Sequence, residues 1–265
     1  MHPQIAAFGR LSRENVIPTR KLEGQKTLLG RTMHDIAYDA IHDEIVVGSP
    51  FAQAIMTFRG GADGEEAPLR VIQGPRTQIV TGSNGVDKVG GIDPVNNEIF
   101  YATRLNKIPV FDREANGDVP PKRVLGGPDT PRLGSTIRID PVNNLLFVSG
   151  GGGMMIFDRT ASGNTKPRSI IKGSFSNQVA LYNDLIVSAR EDDHIYAWSI
   201  HETGENPKPV LRIAAPLGDR ASQLGLVLDP IHKEVILGSG AGNQIRVFAV
   251  PEIFEWKRTD RSERQ

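Results

Sequence analysis

Cysteine is absent from the 265 residues, which excludes a disulfide framework, a zinc–thiolate site and a cysteine nucleophile. An excess of either charge is absent too. Lys and Arg total 31 and so do Asp and Glu, so the basic surplus that marks partners such as nucleic acid or anionic membrane is missing. Aromatic residues make up only 6%, which withholds the stacking platforms that single-stranded RNA uses. No apolar run approaches the length of a membrane span. The opening stretch, MHPQIAAFGRLSRENV, has no apolar segment of the secretory type. Neither a Gly-x-Ser-x-Gly elbow nor a Walker sequence occurs, and no Asn-x-Ser/Thr sequon does.

What remains is an ordinary globular composition, 38% hydrophobic and 23% charged. A chain of this size buries roughly 70–75% of its unfolded surface, enough for one large core or two small ones. Its 28 Gly and 18 Pro are spread along the whole length, and that spread points to an internal repeat. Around Asp93 the chain reads GGIDPVNNEIFYAT and around Asp140 IRIDPVNNLLFVSG. Asp229 sits in LVLDPIHKEVILGS and Asp39 in IAYDAIHDEIVVGS, and a worn copy, VALYNDLIVSAR, begins at Val179. An apolar run, a tight polar turn and a second run rich in Val, Ile and Phe make a β-hairpin.

A third strand follows each hairpin and ends near an aromatic: Phe58, Phe111, Phe157, Trp198 and Phe248, with Phe8 closing an earlier member. The fourth segments start at Pro18, Pro68, Pro121, Pro167 and Pro209, each followed closely by an arginine: Arg20, Arg70, Arg123, Arg168 and Arg212. Proline with a charge protects an exposed sheet edge. Four antiparallel strands recurring every 40–50 residues make a propeller blade. The expected fold is therefore all-β, a β-propeller over residues 1–250. It comprises a partial blade in 1–33 and repeats near 34–84, 85–136, 137–177, 178–222 and 223–250. Six blades with one incomplete is the favoured count, and five closed by the N-terminal strands the alternative. The charged tail, 251–265, reads as a strand or a short helix.

The DPVNNEIFYAT and DPVNNLLFVSG segments resemble the repeats of the NHL and YVTN β-propeller families. The resemblance implies a rigid scaffold that binds a protein or other macromolecule, and a bacterial relative that is exported or displayed at the surface: periplasmic, secreted or on the cell surface. It also raises the rival reading of a lactonase-type hydrolase with a divalent ion at the channel mouth.

The residues themselves favour binding over catalysis. His42 and His232 share a hairpin-turn position with Asn96 and Asn143 and read as turn residues. His34 and His194 read as loop residues bordering the expected channel. No histidine pair has metal-ligand spacing. The glycine clusters at Gly150–Gly153 and from Gly238 lie between strands, so they are hairpin loops and not phosphate cradles. Arg190, Glu191, Asp192, Asp193 and His194 form the most polar loop, and an exposed hairpin tip accounts for it better than a cation site. The expected channel-mouth set is Arg104, Arg138, Arg190, Asp87, Lys88, Glu191, Asp192 and Asn243, with Asp35, Asn106, Gln178 and Gln223 beside it. Arg104, Arg138 and Arg190 come from successive repeats. They either converge on an anionic group or pair with nearby acids. The sequence thus implies a non-catalytic module with no cofactor and no metal, and with a protein partner or a second copy as its ligand. No small-molecule ligand is implied.

Overall fold

The computed structural model describes residues 4–30, 33–80, 88–150, 152–173, 179–190, 192–201, 207–216, 224–239 and 244–258. The chain divides into two compact units, residues 1–144 with 159–166 and residues 145–158 with 167–265. Strands dominate both.

In the first unit β1 (Gln4–Ala7) pairs with β2 (Arg20–Glu23) in a two-stranded sheet. Next comes the meander β3 (His34–Asp39), β4 (Glu44–Ser49), β5 (Ala54–Arg59) and β6 (Arg70–Gln73). A second meander follows: β7 (Lys88–Asp93), β8 (Glu98–Ala102), β9 (Ile108–Asp112) and β10 (Arg123–Leu125). The eight-residue β11 (Leu133–Asp140) opens the third repeat. The second unit holds β12 (Leu145–Gly150), β13 (Gly153–Asp158) and β14 (Ser169–Lys172), then β15 (Val179–Tyr182), β16 (Leu185–Arg190), β17 (His194–Ser199) and β18 (Leu211–Ala214). It ends with β19 (Leu224–Asp229), β20 (Glu234–Ser239), β21 (Gln244–Ala249) and a short helix, α1 (Pro251–Glu255). The fold class is all-β, of the β-propeller type. Among the described residues five sheets of meander strands match the five-blade alternative, and the favoured count of six with one incomplete is compatible with them, the two-stranded β1–β2 sheet standing for the partial blade.

The recurring aspartate explains the hairpins. Asp39 Oδ1 accepts the backbone N–H groups of Ile41 and His42 at 2.9 and 3.0 Å, and its Oδ2 lies 2.7 Å from His42 Nδ1. At the same position Asn96 Nδ2 donates to Asp93 Oδ2 at 2.9 Å, and Asn143 Nδ2 donates to Asp140 Oδ2 at 2.7 Å. Asp229 repeats the arrangement with His232 at 2.7 Å. One residue further, Asp43, Asn97, Asn144 and Lys233 have φ between 54 and 56°, the left-handed step that closes these loops. The aspartate anchors the turn, and histidine or asparagine serves equally as its donor.

Burial follows the period of two expected of strands. In the first meander Ala37, Val46, Ile55 and Ile72 lie on one face and pack with Ile92, Ile99, Tyr101 and Phe111 of the next sheet. On the opposite face Val47, Met56 and Phe58 are buried beneath Ile5 and Leu22 of β1 and β2. The expected aromatics Phe58, Phe111, Phe157 and Trp198 are all buried, whereas Phe8 is exposed.

Consecutive sheets are also clasped at their outer strands. The turn after β5 offers Asp63 Oδ1 to the Lys21 N–H at 2.8 Å and Glu65 Oε1 to the Gln25 N–H at 2.7 Å. Asn116 and Asp118 do the same for Val71 and Arg76 of the preceding repeat, at 2.9 and 2.7 Å. Gly64, Gly117 and Gly163 sit in these turns with φ of 60, 81 and 63°, bridging to Leu22, Ile72 and Leu125. Positive φ at that point is where glycine is needed.

The fourth-strand arginines depart from the edge-guarding role that the sequence suggested. Arg70 lies 2.6 Å from Glu44, whose other oxygen takes Arg113 at 2.9 Å. Glu98 accepts both arms of Arg123, at 2.6 and 2.8 Å, together with Arg159 at 2.9 Å and Lys122 at 3.0 Å. These guanidinium groups turn inward because a second-strand glutamate lies across the sheet from them. Arg168 keeps the exposed character that was expected, paired with Asp158 at 2.9 Å. Burial alone would raise the Glu98 pKa, but the hydrogen bonds from Arg123 and Lys122 outweigh it and hold the carboxyl below its ordinary range.

Candidate functional site

In the first unit the site residues lie on the first strands of consecutive repeats. Gly91 of β7 approaches β11 so closely that a Cβ there would lie 2.5 Å from Ile139 Cδ1, and one on Gly90 would meet Ile137 Cδ1 at 2.4 Å. Two irregularities break the register one residue apart in the repeat: β3 slips between His34 and Ile36, and β7 between Val89 and Gly91. The extra residue in β3 is Asp35, with φ of 66°, and its Oδ1 accepts the Ile36 N–H at 3.0 Å. Bulges of this kind re-aim side chains and main-chain groups.

Arg138 of β11 fits against them. Its Nη1 donates to the carbonyls of Gly90 and Ile137 at 3.2 and 2.6 Å. Burial lowers its pKa while the charge of Asp35 raises it, and a guanidinium remains protonated throughout. Arg138, singled out because it interrupts an apolar strand, is therefore a desolvated cation anchored on a bulge carbonyl, with Asp35 as a counter-charge in the same unit. Arg104 stands exposed in the turn between β8 and β9. Asn106, two residues on, uses its Oδ1 to accept the Leu133 N–H at 2.6 Å, a structural task.

The polar loop of the second unit holds the other cluster. Tyr196 donates its hydroxyl to Asp192 Oδ2 at 2.5 Å, and Arg212 Nε donates to that same hydroxyl oxygen at 3.1 Å. Tyr196 stacks on Trp198 with ring centroids 5.6 Å apart and 24° between planes, and the Arg212 guanidinium lies 5.9 Å from the Tyr196 centroid. His194 Nδ1 lies 2.6 Å from the Asp192 carbonyl oxygen. Asp192 is held below the usual carboxylate range, first by the Tyr196 hydroxyl and then by the charges of His194 and Arg212.

Sequence reasoning named Asp192 and His194 but missed Tyr196, and it read Arg212 only as an edge charge. A signal was present: His194, Tyr196 and Trp198 alternate along one strand, which places three rings on one face. His34 opens β3 and His194 opens β17, so neither is the loop residue expected. Of the other expected residues, Lys88 lies in β7 and Arg190 in β16. Asp87, Glu191, Asn243, Gln178 and Gln223 lie outside the described residues.

Among the described residues one carboxylate–histidine group, Asp229, His232 and Glu234, has its ligand atoms within 4.8 Å of one another. The same turn carries Asp93, Asn96 and Glu98 in the second repeat, so the geometry belongs to the hairpin. Hydrogen bonds from His232 hold Asp229 below its ordinary pKa.

No protein-family model matches the chain, and no curated protein does. Among solved structures 809 chains match. One, Hsv2 of Kluyveromyces lactis, described as "complete loop 6CD", is 14% identical with a TM-score of 0.50, and the alignment covers 83% of this chain. The chain spans 60% of the length of that structure. At this identity the likeness shows a shared fold and nothing beyond it.

Proposed function

We propose that the chain is a non-catalytic binding module of the β-propeller class that engages another protein. The observation that carries this reading is the outward face of the β19–β21 sheet. Val227, Ile236 and Val247 lie in register across it with Ile245 beside them, and Val227 and Ile245 are 59 and 60% exposed. Contiguous apolar exposure on a rigid sheet marks an interaction surface. The Asp192 cluster supports the same reading, because its carboxylate and the Tyr196 hydroxyl are engaged in hydrogen bonds within the cluster. The balanced charge speaks against nucleic acid as the partner.

The DPVNN segments support a place among NHL- and YVTN-type repeats, and with it an exported or surface location. A photo-crosslinker introduced at Ile245 in the source cell tests the reading. One protein should dominate the adducts, and an added Val247→Lys substitution should abolish it. Adducts spread over many proteins, or a stoichiometric divalent ion found in the purified chain, would overturn the proposal in favour of chance exposure or the metal-dependent hydrolase.

A further inference from the structure

Asparagine followed by glycine is a pair prone to close on itself, because glycine has no Cβ to keep its amide nitrogen away from the preceding side chain. The sequence holds two such pairs. Asn84 with Gly85 lies outside the described residues. Asn116 with Gly117 is exposed, in the turn that clasps β6 of the sheet before it.

The clasp fixes both groups that would have to react. Asn116 Oδ1 accepts the Val71 N–H at 2.9 Å, which holds the carboxamide against β6. The Gly117 N–H donates to the Val71 carbonyl at 2.7 Å, which holds the nucleophilic nitrogen to the same residue. Beyond them the Gly117 carbonyl accepts the Gln73 N–H at 3.2 Å, and Asp118 Oδ1 accepts the Arg76 N–H at 2.7 Å. Ring closure must swing the carboxamide carbon onto the Gly117 nitrogen and strip that nitrogen of its proton. Both bonds to Val71 have to break first. Such an opening of a four-residue outer strand is a local event that does not require global unfolding.

We propose that Asn116 is a covalent modification site of this protein, gated by opening of the clasp. In the open state the Gly117 nitrogen attacks the Asn116 carboxamide carbon. A C–N bond forms, the side-chain nitrogen leaves as ammonia with the proton from the Gly117 amide, and a succinimide ring remains. Water then adds to one ring carbonyl and breaks its bond to nitrogen. Addition at the side-chain carbonyl gives aspartate, and addition at the main-chain carbonyl gives isoaspartate. The first sheet shows what each product does. Asp63 holds the same position before Gly64, where its Oδ1 accepts the Lys21 N–H at 2.8 Å and the Gly64 N–H reaches the Lys21 carbonyl at 3.0 Å. Aspartate at 116 therefore lets the clasp close again. Isoaspartate inserts a carbon into the main chain and pulls Gly117 out of register with Val71 and Gln73.

Incubation of the full chain in heavy-oxygen water at mildly alkaline pH, followed by peptide mapping, tests it. Acid should replace amide at Asn116 as both aspartate and isoaspartate, each carrying a heavy oxygen. The rate in the folded chain should be roughly thirtyfold below that in urea, the weight of two net hydrogen bonds. Asp118→Ala removes the bond to Arg76 and leaves the reacting pair in place. In a chain that keeps the wild-type circular dichroism, it should raise the folded rate relative to its own rate in urea. An Asn116 that stays intact in the folded chain overturns the inference. Equal rates in fold and urea overturn it too, as does a ratio that Asp118→Ala leaves unmoved.

Discussion

At the scale of single residues the carboxylates divide into two kinds, those that hold a turn and those that hold arginines. Asp39 is fully buried and serves two backbone donors, so Asp39→Ala leaves orphaned N–H groups and should cost about 2 kcal/mol in urea denaturation. Asp39→Asn keeps the accepting oxygen and should cost distinctly less. Glu98 illustrates the other kind. Removing its charge strands Arg123 and Arg159 beside it, and Glu98→Gln should cost about 3 kcal/mol by the same measurement. The pH dependence follows from the direction of its shift. A carboxyl whose folded pKa is depressed contributes stability that is complete above its unfolded value, about 4.3, and is lost as pH falls through the lower folded value. The wild-type melting temperature should therefore drop in that acid window, with a flatter profile for Glu98→Gln. Tyr196→Phe removes the hydroxyl that most depresses Asp192, whose titration, followed by carboxyl NMR, should move up toward the ordinary range.

At the scale of elements, what distinguishes this chain is the clasp between a third-to-fourth turn and the fourth strand of the sheet before it. Short outer strands of three or four residues are marginal alone, and each is secured by backbone groups from the neighbouring turn. Gly117 is central to one such clasp, with its N–H on the Val71 carbonyl at 2.7 Å and φ of 81°. Gly117→Ala should destabilise by roughly 1–2 kcal/mol through backbone strain alone, since no atom crowds the position. Hydrogen exchange should show the loss concentrated at Val71 and Gln73 of β6. A uniform loss across the unit would contradict the clasp.

For the molecule as a whole, division into two compact units bears on cooperativity. Two-state unfolding is the rule for small single domains and fails when units are separable. The calorimetric enthalpy should exceed the van't Hoff value, and Glu98→Gln, which lies in the first unit, should lower only one component of the transition. Both expectations fail together if a single coincident transition is seen.

Much of the architecture was legible in the residues because it is local. The aspartate three positions before an Asn or His, the alternation of Val and Ile, and the proline two residues before each outer strand all act within a few residues. They fix hairpin, register and strand order wherever they stand. The arginines were misread for the opposite reason. Whether Arg70 guards an edge or turns inward depends on Glu44, which is remote in sequence and reaches it only across the folded sheet, and on Arg113 from the next repeat. The same holds for Tyr196 with Asp192 and Arg212, and for the bulge carbonyl of Gly90 that Arg138 finds. Exposure was likewise invisible beforehand. Tyr38 and Ile92 occupy one repeat position, yet one is uncovered and the other packed, because burial depends on which sheet lies opposite. Periodic patterns thus determined the repeat, its turns and its strands, through short-range sterics and hydrogen bonding. Tertiary packing alone decided which charges meet and which apolar faces stay open, since those depend on neighbours that only the folded chain supplies.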